Sequence, residues 1–172
     1  FSSIGNVKSA GTKLVCLDSL FKNPGVYEID MGTPMKKIIY DIGGGFIKPV
    51  KALQVGGPLG GVIPIKEVEK LNLDFQEFTK AGFMLGHGSI VSIPEDFNMI
   101  KYIHHLFKFS AEESCGKCFP GRLGSYRGKE MFDQAINKTN KIPIKLLNEL
   151  LVTMQKGSLC ALCGAIPLPI QN

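Results

Sequence analysis

The residues KLVCLDSLFKNPGVYEID, positions 13–30, decide the first half of the fold. Residues 13–17 form a mostly apolar run, and apolar and polar residues alternate in the second half of residues 26–30. Asn23, Pro24 and Gly25 stand between the two runs, where proline presets φ and glycine tolerates a positive φ. The pattern predicts two strands joined by a turn.

One short helix is predicted after this hairpin. Four apolar residues at positions i, i+3, i+4 and i+7 share one helical face: Met35, Ile38, Ile39 and Ile42. Three glycines, residues 43–45, stop the helix. Strands are predicted at residues 50–55 and 62–64, with the turn GGPLGG, residues 56–61, between them. A sheet that wraps a single helix is an α+β domain of β-grasp shape, which we place at residues 11–93.

The second half of the chain has a helical pattern. Apolar residues recur at helical spacing along two stretches: Met99, Ile103 and Leu106, then Ile144, Leu147, Leu151 and Met154. Glu95 and Asp96 stand at the favourable N-terminal end of the first stretch, and residues 122–137 predict a further helix between the two. We therefore expect a small helical bundle at residues 94–172, and interpret residues 1–10 as the tail of an absent upstream domain.

Cysteine spacing is the most informative chemical pattern. Of five cysteines, four form two C-x-x-C pairs: Cys115 with Cys118, and Cys160 with Cys163. A chain of this length does not need disulfides, and two such pairs form a four-sulfur cage for a metal in a reducing compartment. The spacing does not separate an iron–sulfur cluster from structural zinc. The alternative is that they are small buried residues, as we expect for Cys16 in its strand.

Charges near the first pair favour thiolates. Lys117, Arg122 and Arg127, with the N-terminus of the following helix, are expected to stabilise thiolate over thiol and to offset the negative charge of a cluster. Glu112 and Glu113 are expected to cap a helix or to bridge to Arg122 rather than to transfer protons. No nucleophile or acid–base signature appears, so we assign no catalytic residue.

The remaining composition excludes several classes of function. The net charge of +5 is spread thinly, and the nearest basic clusters, Lys36 with Lys37 and residues 138–145, are interpreted as solvated surface, so no nucleic-acid partner is expected. Apolar runs stay far below the roughly 18 residues of a membrane span, so no direct membrane insertion is expected. His104 and His105 are interpreted as structural, whereas His87 could approach a cofactor held by another domain.

One motif resembles a known family. The sequence ESCGKCFPGR, residues 113–122, resembles the E-S-C-G-K-C-x-P-C-R motif of the NADH-binding flavoprotein subunit of respiratory complex I and of its relatives in NAD-linked hydrogenases and formate dehydrogenases. Four further segments resemble its soluble-ligand-binding β-grasp (SLBB) domain: NPGVYE at 23–28, IGGG at 42–45, GGPLGGVIP at 56–64 and LGHGS at 85–89. SLCAL, residues 158–162, resembles the segment that brings the last cluster ligand.

The resemblance implies a [4Fe-4S] cluster that takes electrons from FMN, which NADH has reduced, and passes them to further clusters. Cys115, Cys118 and Cys160 match ligand positions of the family. Gly121 stands where the family has its third cysteine, and Cys163 stands where the family usually has glycine. Either Cys163 substitutes as the fourth ligand, or three ligands remain and the cluster is labile, incomplete or absent.

The flavin and NADH site of that family lies in a domain upstream of the SLBB domain. Residues 1–172 contain no G-x-G-x-x-G followed by a helix, and the glycines at 43 and 56 suit turns, so we expect FMN and NAD to bind only in the missing domain. The leading hypothesis is a cytoplasmic electron-relay portion of an NADH dehydrogenase, hydrogenase or formate dehydrogenase, held near the inner membrane only through partner subunits. The alternative is a non-redox interaction module with structural zinc or no metal.

Overall fold

The computed structural model describes residues 2–138 and 141–172, and the chain divides into two units, one extending to Asp96 and the other spanning Phe97–Gln171. The first unit is built on a mixed sheet of five strands: β3 (Thr12–Leu17), β4 (Gly25–Asp30), β5 (Val50–Val55), β6 (Gly61–Pro64) and β7 (Ser89–Pro94). A separate pair of short strands, β1 (Gly5–Asn6) and β2 (Ser9–Ala10), precedes them. The strands predicted from sequence at 13–17, 26–30, 50–55 and 62–64 are confirmed.

The sheet has the order β4-β3-β7-β5-β6, and only the β3–β7 pairing is parallel. Side chains alternate along β3, so Val15 and Leu17 are buried while Leu14 and Cys16 face outward. The prediction that Cys16 packs in the core is therefore wrong. The strand was predicted correctly, but its inward-facing side chains are those of Val15 and Leu17, on either side of Cys16.

The helix predicted after the hairpin packs on the buried face of the sheet. It begins as α1 (Met35–Lys37) and continues as a π-helical turn over Ile38–Ile42, which the Gly43 N–H closes by donating to the Ile38 carbonyl at 2.9 Å. Met35, Ile38 and Ile39 are fully buried against the sheet residues Leu53 and Val55. Lys36 and Lys37 lie on the exposed face, as predicted. The α+β class with a five-stranded sheet and helices is confirmed.

Two short helices of the first unit were not predicted. They are α2 (Ile65–Val68) and α3 (Phe75–Lys80). The side chain of Asp74 caps α3, because its Oδ1 accepts hydrogen bonds from the N–H groups of Gln76 at 2.7 Å and Glu77 at 2.9 Å. The sequence signal for α3 was Asp74 followed by a short mixture of apolar and polar residues. That stretch was too short to show a helical period.

The second unit is helical, as predicted. Its helices are α4 (Met99–Glu113), α5 (Phe119–Lys138), α6 (Ile144–Gly157), α7 (Ala161–Gly164) and α8 (Pro167–Gln171). Asn98 caps α4 by accepting from the Ile100 N–H at 2.8 Å, so the helix begins after Glu95 and Asp96 rather than at them. Helix α5 begins three residues before the predicted start at residue 122 because the turn after Cys118 is already helical.

The helices α4 and α5 approach closely at a glycine. A Cβ on Gly128 would overlap the ring of Phe107, so only glycine lets that ring lie against the backbone of α5. The Phe107 ring also packs on Phe132, with centroids 5.7 Å apart. His104 Nε2 lies 2.8 Å from Asp133 Oδ1, which links the same two helices and fits the structural role predicted for this histidine.

Among the described residues, the helices are all too short or too polar to cross a membrane. Lys141 and Lys145, in the basic stretch predicted at 138–145, are exposed as expected for solvated surface. Residues 139 and 140 of that stretch lie outside the described residues, and the side chain of Lys138 is not described.

Candidate metal centre

Two segments of the helical unit carry the four paired cysteines. Cys115 and Cys118 lie in the connection between α4 and α5, and Cys160 and Cys163 lie at the start of α7 and within it. Cys160 is the N-cap residue of α7, with extended backbone at φ −142° and ψ 168°. Cys115, Cys118 and Cys160 thus lie in a connection or at a helix end, whereas Cys163 lies inside a one-turn helix.

Local hydrogen bonds fold the first segment into a tight loop. Gly116 adopts φ +73°, a left-handed conformation that favours glycine. Its N–H donates to Ser114 Oγ at 3.3 Å, and its carbonyl accepts from Arg122 Nη1 at 3.2 Å. The loop is thereby tied both to its own start and to the first turn of α5.

The sulfur of Cys118 joins the two segments. The backbone N–H groups of Leu159 and Gly121 face it and lower the pKa of the Cys118 thiol. Leu159 immediately precedes Cys160, so this contact brings the second cysteine pair against the first. Backbone donors at a sulfur also favour a thiolate that carries a metal.

Cys163 is the buried member of the group. It is 3% exposed, whereas Cys115 and Cys160 are exposed and Cys118 is half-buried. Burial raises the pKa of the Cys163 thiol, the Ser114 hydroxyl opposes this rise, and electrostatic repulsion from Cys160, Cys118 and Cys115 adds to it. The sulfurs of Cys118 and Cys163 both lie beside Gly121, but in the described part of the chain no three of the four cysteines converge on one metal-binding point.

Gly121, on the first turn of α5, leaves the space that the Cys163 side chain fills. A Cβ on Gly121 would lie 2.9 Å from Cys118 Sγ, 3.3 Å from Cys163 Sγ and 3.4 Å from Cys163 Cβ. Real Cβ atoms rarely come this close to a neighbour. The family has a cysteine at position 121. A side chain there and the sulfur of Cys163 would therefore occupy the same small volume.

These residues fit an extended cluster better than a single ion. Within residues 2–138 and 141–172, no three His, Cys, Asp or Glu side chains converge as ligands of one metal ion. Tetrahedral zinc requires its sulfurs at about 2.3 Å from one point, whereas a cluster of several irons and sulfides accepts thiolates that lie farther apart. The buried Ser158 hydroxyl has no hydrogen-bond partner among the described residues, which leaves it able to donate to a sulfur-rich group.

The predicted role of the nearby cations is only partly met. Arg122 lies over the ring of Phe119 at 5.1 Å, and Arg127 Nη1 lies 3.1 Å from Glu130 Oε2, so each guanidinium has a recorded partner other than a sulfur. The low pKa of Cys118 comes from backbone N–H groups instead. Glu112 lies 3.8 Å from Lys108, and Arg122 Nη1 donates to the Gly116 carbonyl, whereas helix capping by Glu112 and Glu113 stays a prediction.

Sequence reasoning missed Ser114, Ser158 and the N–H of Leu159 as parts of the site. Each serine precedes the first cysteine of a C-x-x-C pair, by one residue in ESCGKC and by two in SLCALC. That shared placement was a signal. His87, in contrast, lies in the first unit with its ring against Gly57 and accepts from the Ser89 N–H at 3.4 Å, and its approach to a cofactor stays a prediction.

Comparison with known proteins identifies relatives of this chain. Residues 101–172 match the family described as the NADH-ubiquinone oxidoreductase-F iron-sulfur binding region. The chain is 34% identical over 173 residues to the NADP-reducing hydrogenase subunit HndC of Solidesulfovibrio fructosivorans, covering 99% of this chain and 35% of that protein. It is 33% identical over 176 residues to an F-type NADH-quinone oxidoreductase subunit of Rickettsia bellii, covering 100% of this chain and 42% of that protein.

A solved structure has the same fold. The crystal structure of an NAD+-reducing [NiFe]-hydrogenase in the H2-reduced state matches with a TM-score of 0.86 and 23% identity, over 99% of this chain and 29% of that one. The chain thus spans between about a third and two fifths of the length of these two curated relatives.

Proposed function

Because residues 101–172 belong to the NADH-ubiquinone oxidoreductase-F iron-sulfur binding region family, and the whole chain is related to part of F-type and hydrogenase subunits, we propose that this protein is an electron-relay module. Its family implies a [4Fe-4S] cluster, and the comparisons give no support to zinc. The proposed ligands are Cys115, Cys118, Cys160 and Cys163.

One observation carries this assignment of ligands. The sulfur of Cys163 is buried and lies beside the sulfur of Cys118, 3.3 Å from the point that a Cβ on Gly121 would occupy. Cys163 on α7 therefore replaces the family cysteine that is absent at position 121 on α5, and the number of sulfurs stays at four. This supports the first of the two alternatives drawn from the sequence, in which Cys163 is the fourth ligand.

The residues of the site divide its tasks. A bound [4Fe-4S] cluster supplies one-electron transfer without proton transfer. The four thiolates hold it, and the N–H groups of Gly121 and Leu159 offset the negative charge at Cys118. Cys163 closes the site on the buried side, whereas Cys115 and Cys160 place the other side at the protein surface, where an electron donor or acceptor can approach.

The partners follow from the relatives. Their names describe subunits of an NADH-quinone oxidoreductase and of an NADP-reducing hydrogenase, so we propose that other subunits of such a complex accept the electrons. The electron donor would be a flavin held outside residues 1–172. The formate dehydrogenase branch of the resemblance stays a prediction.

Metal analysis of the anaerobically purified chain tests this function. We expect a broad visible absorbance with about four irons and about four acid-labile sulfides per chain. Cys16→Ser is the matched control, because this fifth thiol is exposed on β3 in the other unit and should leave the iron content unchanged. A colourless protein with one zinc, or with no metal after anaerobic reconstitution, would support the interaction module instead.

A further inference from the structure

A groove between α5 and α6 lies beside the first cysteine pair. Phe119 is the first residue of α5 and immediately follows Cys118 in the chain, so the groove begins next to the cysteine-bearing loop. Its volume is about 340 Å³, and it is lined by Phe119, Leu123 and Arg127 of α5 and by Leu150, Thr153 and Met154 of α6. Whatever fills the groove therefore covers protein surface next to the candidate metal centre.

The floor of the groove is apolar. A Cβ on Gly124 would lie 2.6 Å from Met154 Cγ, and a Cβ on Gly157 would lie 2.9 Å from Pro120 Cγ, so α5 and α6 meet closely at these two glycines. Met154 is fully buried at this contact. Methionine is flexible enough to adapt to an incoming side chain, and it is frequent at surfaces that bind other proteins.

The walls of the groove carry large exposed apolar side chains. Phe119 is 69% exposed and Leu123 is 56% exposed. The two polar residues of the lining already have partners: Arg127 Nη1 lies 3.1 Å from Glu130 Oε2, and the Thr153 hydroxyl donates to a backbone carbonyl of its own helix at 2.8 Å. Exposed apolar surface rimmed by polar residues is typical of a protein–protein contact, so the occupant needs apolar side chains of its own.

The charge of the helical unit selects among such occupants. Residues 97–171 contain ten Lys and Arg against five Asp and Glu, whereas residues 1–96 contain ten of each, so the helical unit holds the whole net charge of +5. At the groove, Arg122 lies over the ring of Phe119 at 5.1 Å, and the exposed Lys156 follows Thr153 by three residues on α6. Neither cation forms an ion pair with another residue in the described part of the chain. The complementary partner is therefore acidic.

We propose that a small acidic protein carrying a one-electron redox centre docks in this groove. The inference rests on the proposed function and adds a partner to it. An apolar side chain of the partner enters between α5 and α6, and its carboxylates approach Arg122 and Lys156. One electron then passes between its centre and the cluster, with no proton transferred and no bond made or broken. Opposite charges speed such encounters, and a small contact lets the partner leave.

Calorimetric titration of the full chain with a plant-type [2Fe-2S] ferredoxin, used as an acidic one-electron protein, tests the docking. We expect the affinity to fall about tenfold between about 50 and about 300 mM NaCl, because salt screens the charges. Leu123→Ser should weaken binding about tenfold at both salt concentrations, since salt does not screen an apolar contact. Lys156→Glu should weaken binding about tenfold at the lower concentration and much less at the higher one.

Ile144→Ser is the matched control. Ile144 also lies on α6 and is 61% exposed, but it lines a different cavity, so the loss of apolar surface there should leave the affinity unchanged. The rate of electron transfer from reduced ferredoxin to the iron-loaded chain is a second readout. At concentrations below the dissociation constant, that rate should fall in Leu123→Ser by about the same factor as the affinity.

The results separate this inference from the proposed function. Absence of binding, binding that salt does not weaken, an unchanged affinity in Leu123→Ser or an equal loss in Ile144→Ser would overturn the inference. So would a dimer of this chain, detected by sedimentation, that Leu123→Ser dissociates, because a second copy would then occupy the groove. A wild-type chain that binds ferredoxin as expected and takes up no iron would instead overturn the proposed function and leave the docking surface standing.

Discussion

Cys163→Ala is expected to lower the iron content of the anaerobically loaded chain from about four to about three irons or fewer. Three thiolates leave one iron of the cluster without a protein ligand, and an iron without a thiolate is readily lost. Because Cys163 is 3% exposed, water has little access to take its place as a ligand on that side. Iron and sulfide analysis, with the visible spectrum, measures the effect.

The interpretation of this variant depends on an intact fold. Cys163 lies in the one-turn helix α7 and contributes only a small side chain to the core, so we expect circular dichroism to retain the helical signal. Cys16→Ala is the paired control, since it removes an outward-facing thiol from β3. Undiminished iron in Cys163→Ala would show that three family ligands suffice and that the buried sulfur is not bound.

Gly121→Cys is expected to reduce iron binding on its own and to restore it when combined with Cys163→Gly. Alone, the new Cβ would lie 2.9 Å from Cys118 Sγ and 3.3 Å from Cys163 Sγ, so both ligand sulfurs must shift. Overpacking of this kind costs about 1–3 kcal/mol. Removing the side chain at position 163 frees the volume and leaves one sulfur there, now supplied by α5.

The double variant should therefore hold about four irons per chain, while each single variant holds fewer. Gly121→Ala combined with Cys163→Gly is the matched control, because it adds the Cβ and no sulfur, and it should stay deficient in iron. A double variant with no more iron than Cys163→Gly alone would contradict the idea that positions 121 and 163 serve the same ligand site.

Much of the fold was available from short-range patterns. The turn at Asn23–Gly25 and the apolar spacing from Met35 to Ile42 act over a few residues, and they predicted the hairpin and the helix on the sheet. The side to which Cys16 points depends on which face of the sheet meets that helix, and this is set by the whole first unit. A local pattern therefore identified the strand and gave the wrong orientation for one residue.

The proposed ligands of the site could be predicted from the sequence, but the groups that contact their sulfurs could not. The two C-x-x-C pairs marked Cys115, Cys118, Cys160 and Cys163 because chelate spacing is a local property. The groups that act on the Cys118 sulfur are the backbone N–H groups of Leu159 and Gly121, and Leu159 reaches it only when the segment before α7 packs beside the loop. Formal charges, which are visible in sequence, suggested Arg122 and Arg127, which instead bond the Gly116 carbonyl and the Glu130 carboxylate.

The proposed exchange of ligands between positions 121 and 163 also depends on tertiary structure. In sequence, a missing cysteine at Gly121 and an extra one at Cys163 are two unrelated departures from a family motif. In the structure they concern one volume, since a Cβ on the first position approaches the sulfur of the second at 3.3 Å. Position 121 on α5 and Cys163 on α7 are close in space. We therefore propose that the two departures concern one ligand site.

Anomalous X-ray scattering at the iron edge, from crystals of the anaerobically loaded chain, tests the ligand set most directly. We expect four iron sites in one compact group, each bonded to one sulfur of Cys115, Cys118, Cys160 or Cys163. A cluster whose fourth iron is bound by water or another group, with Cys163 Sγ beyond bonding distance of any iron, would contradict the account.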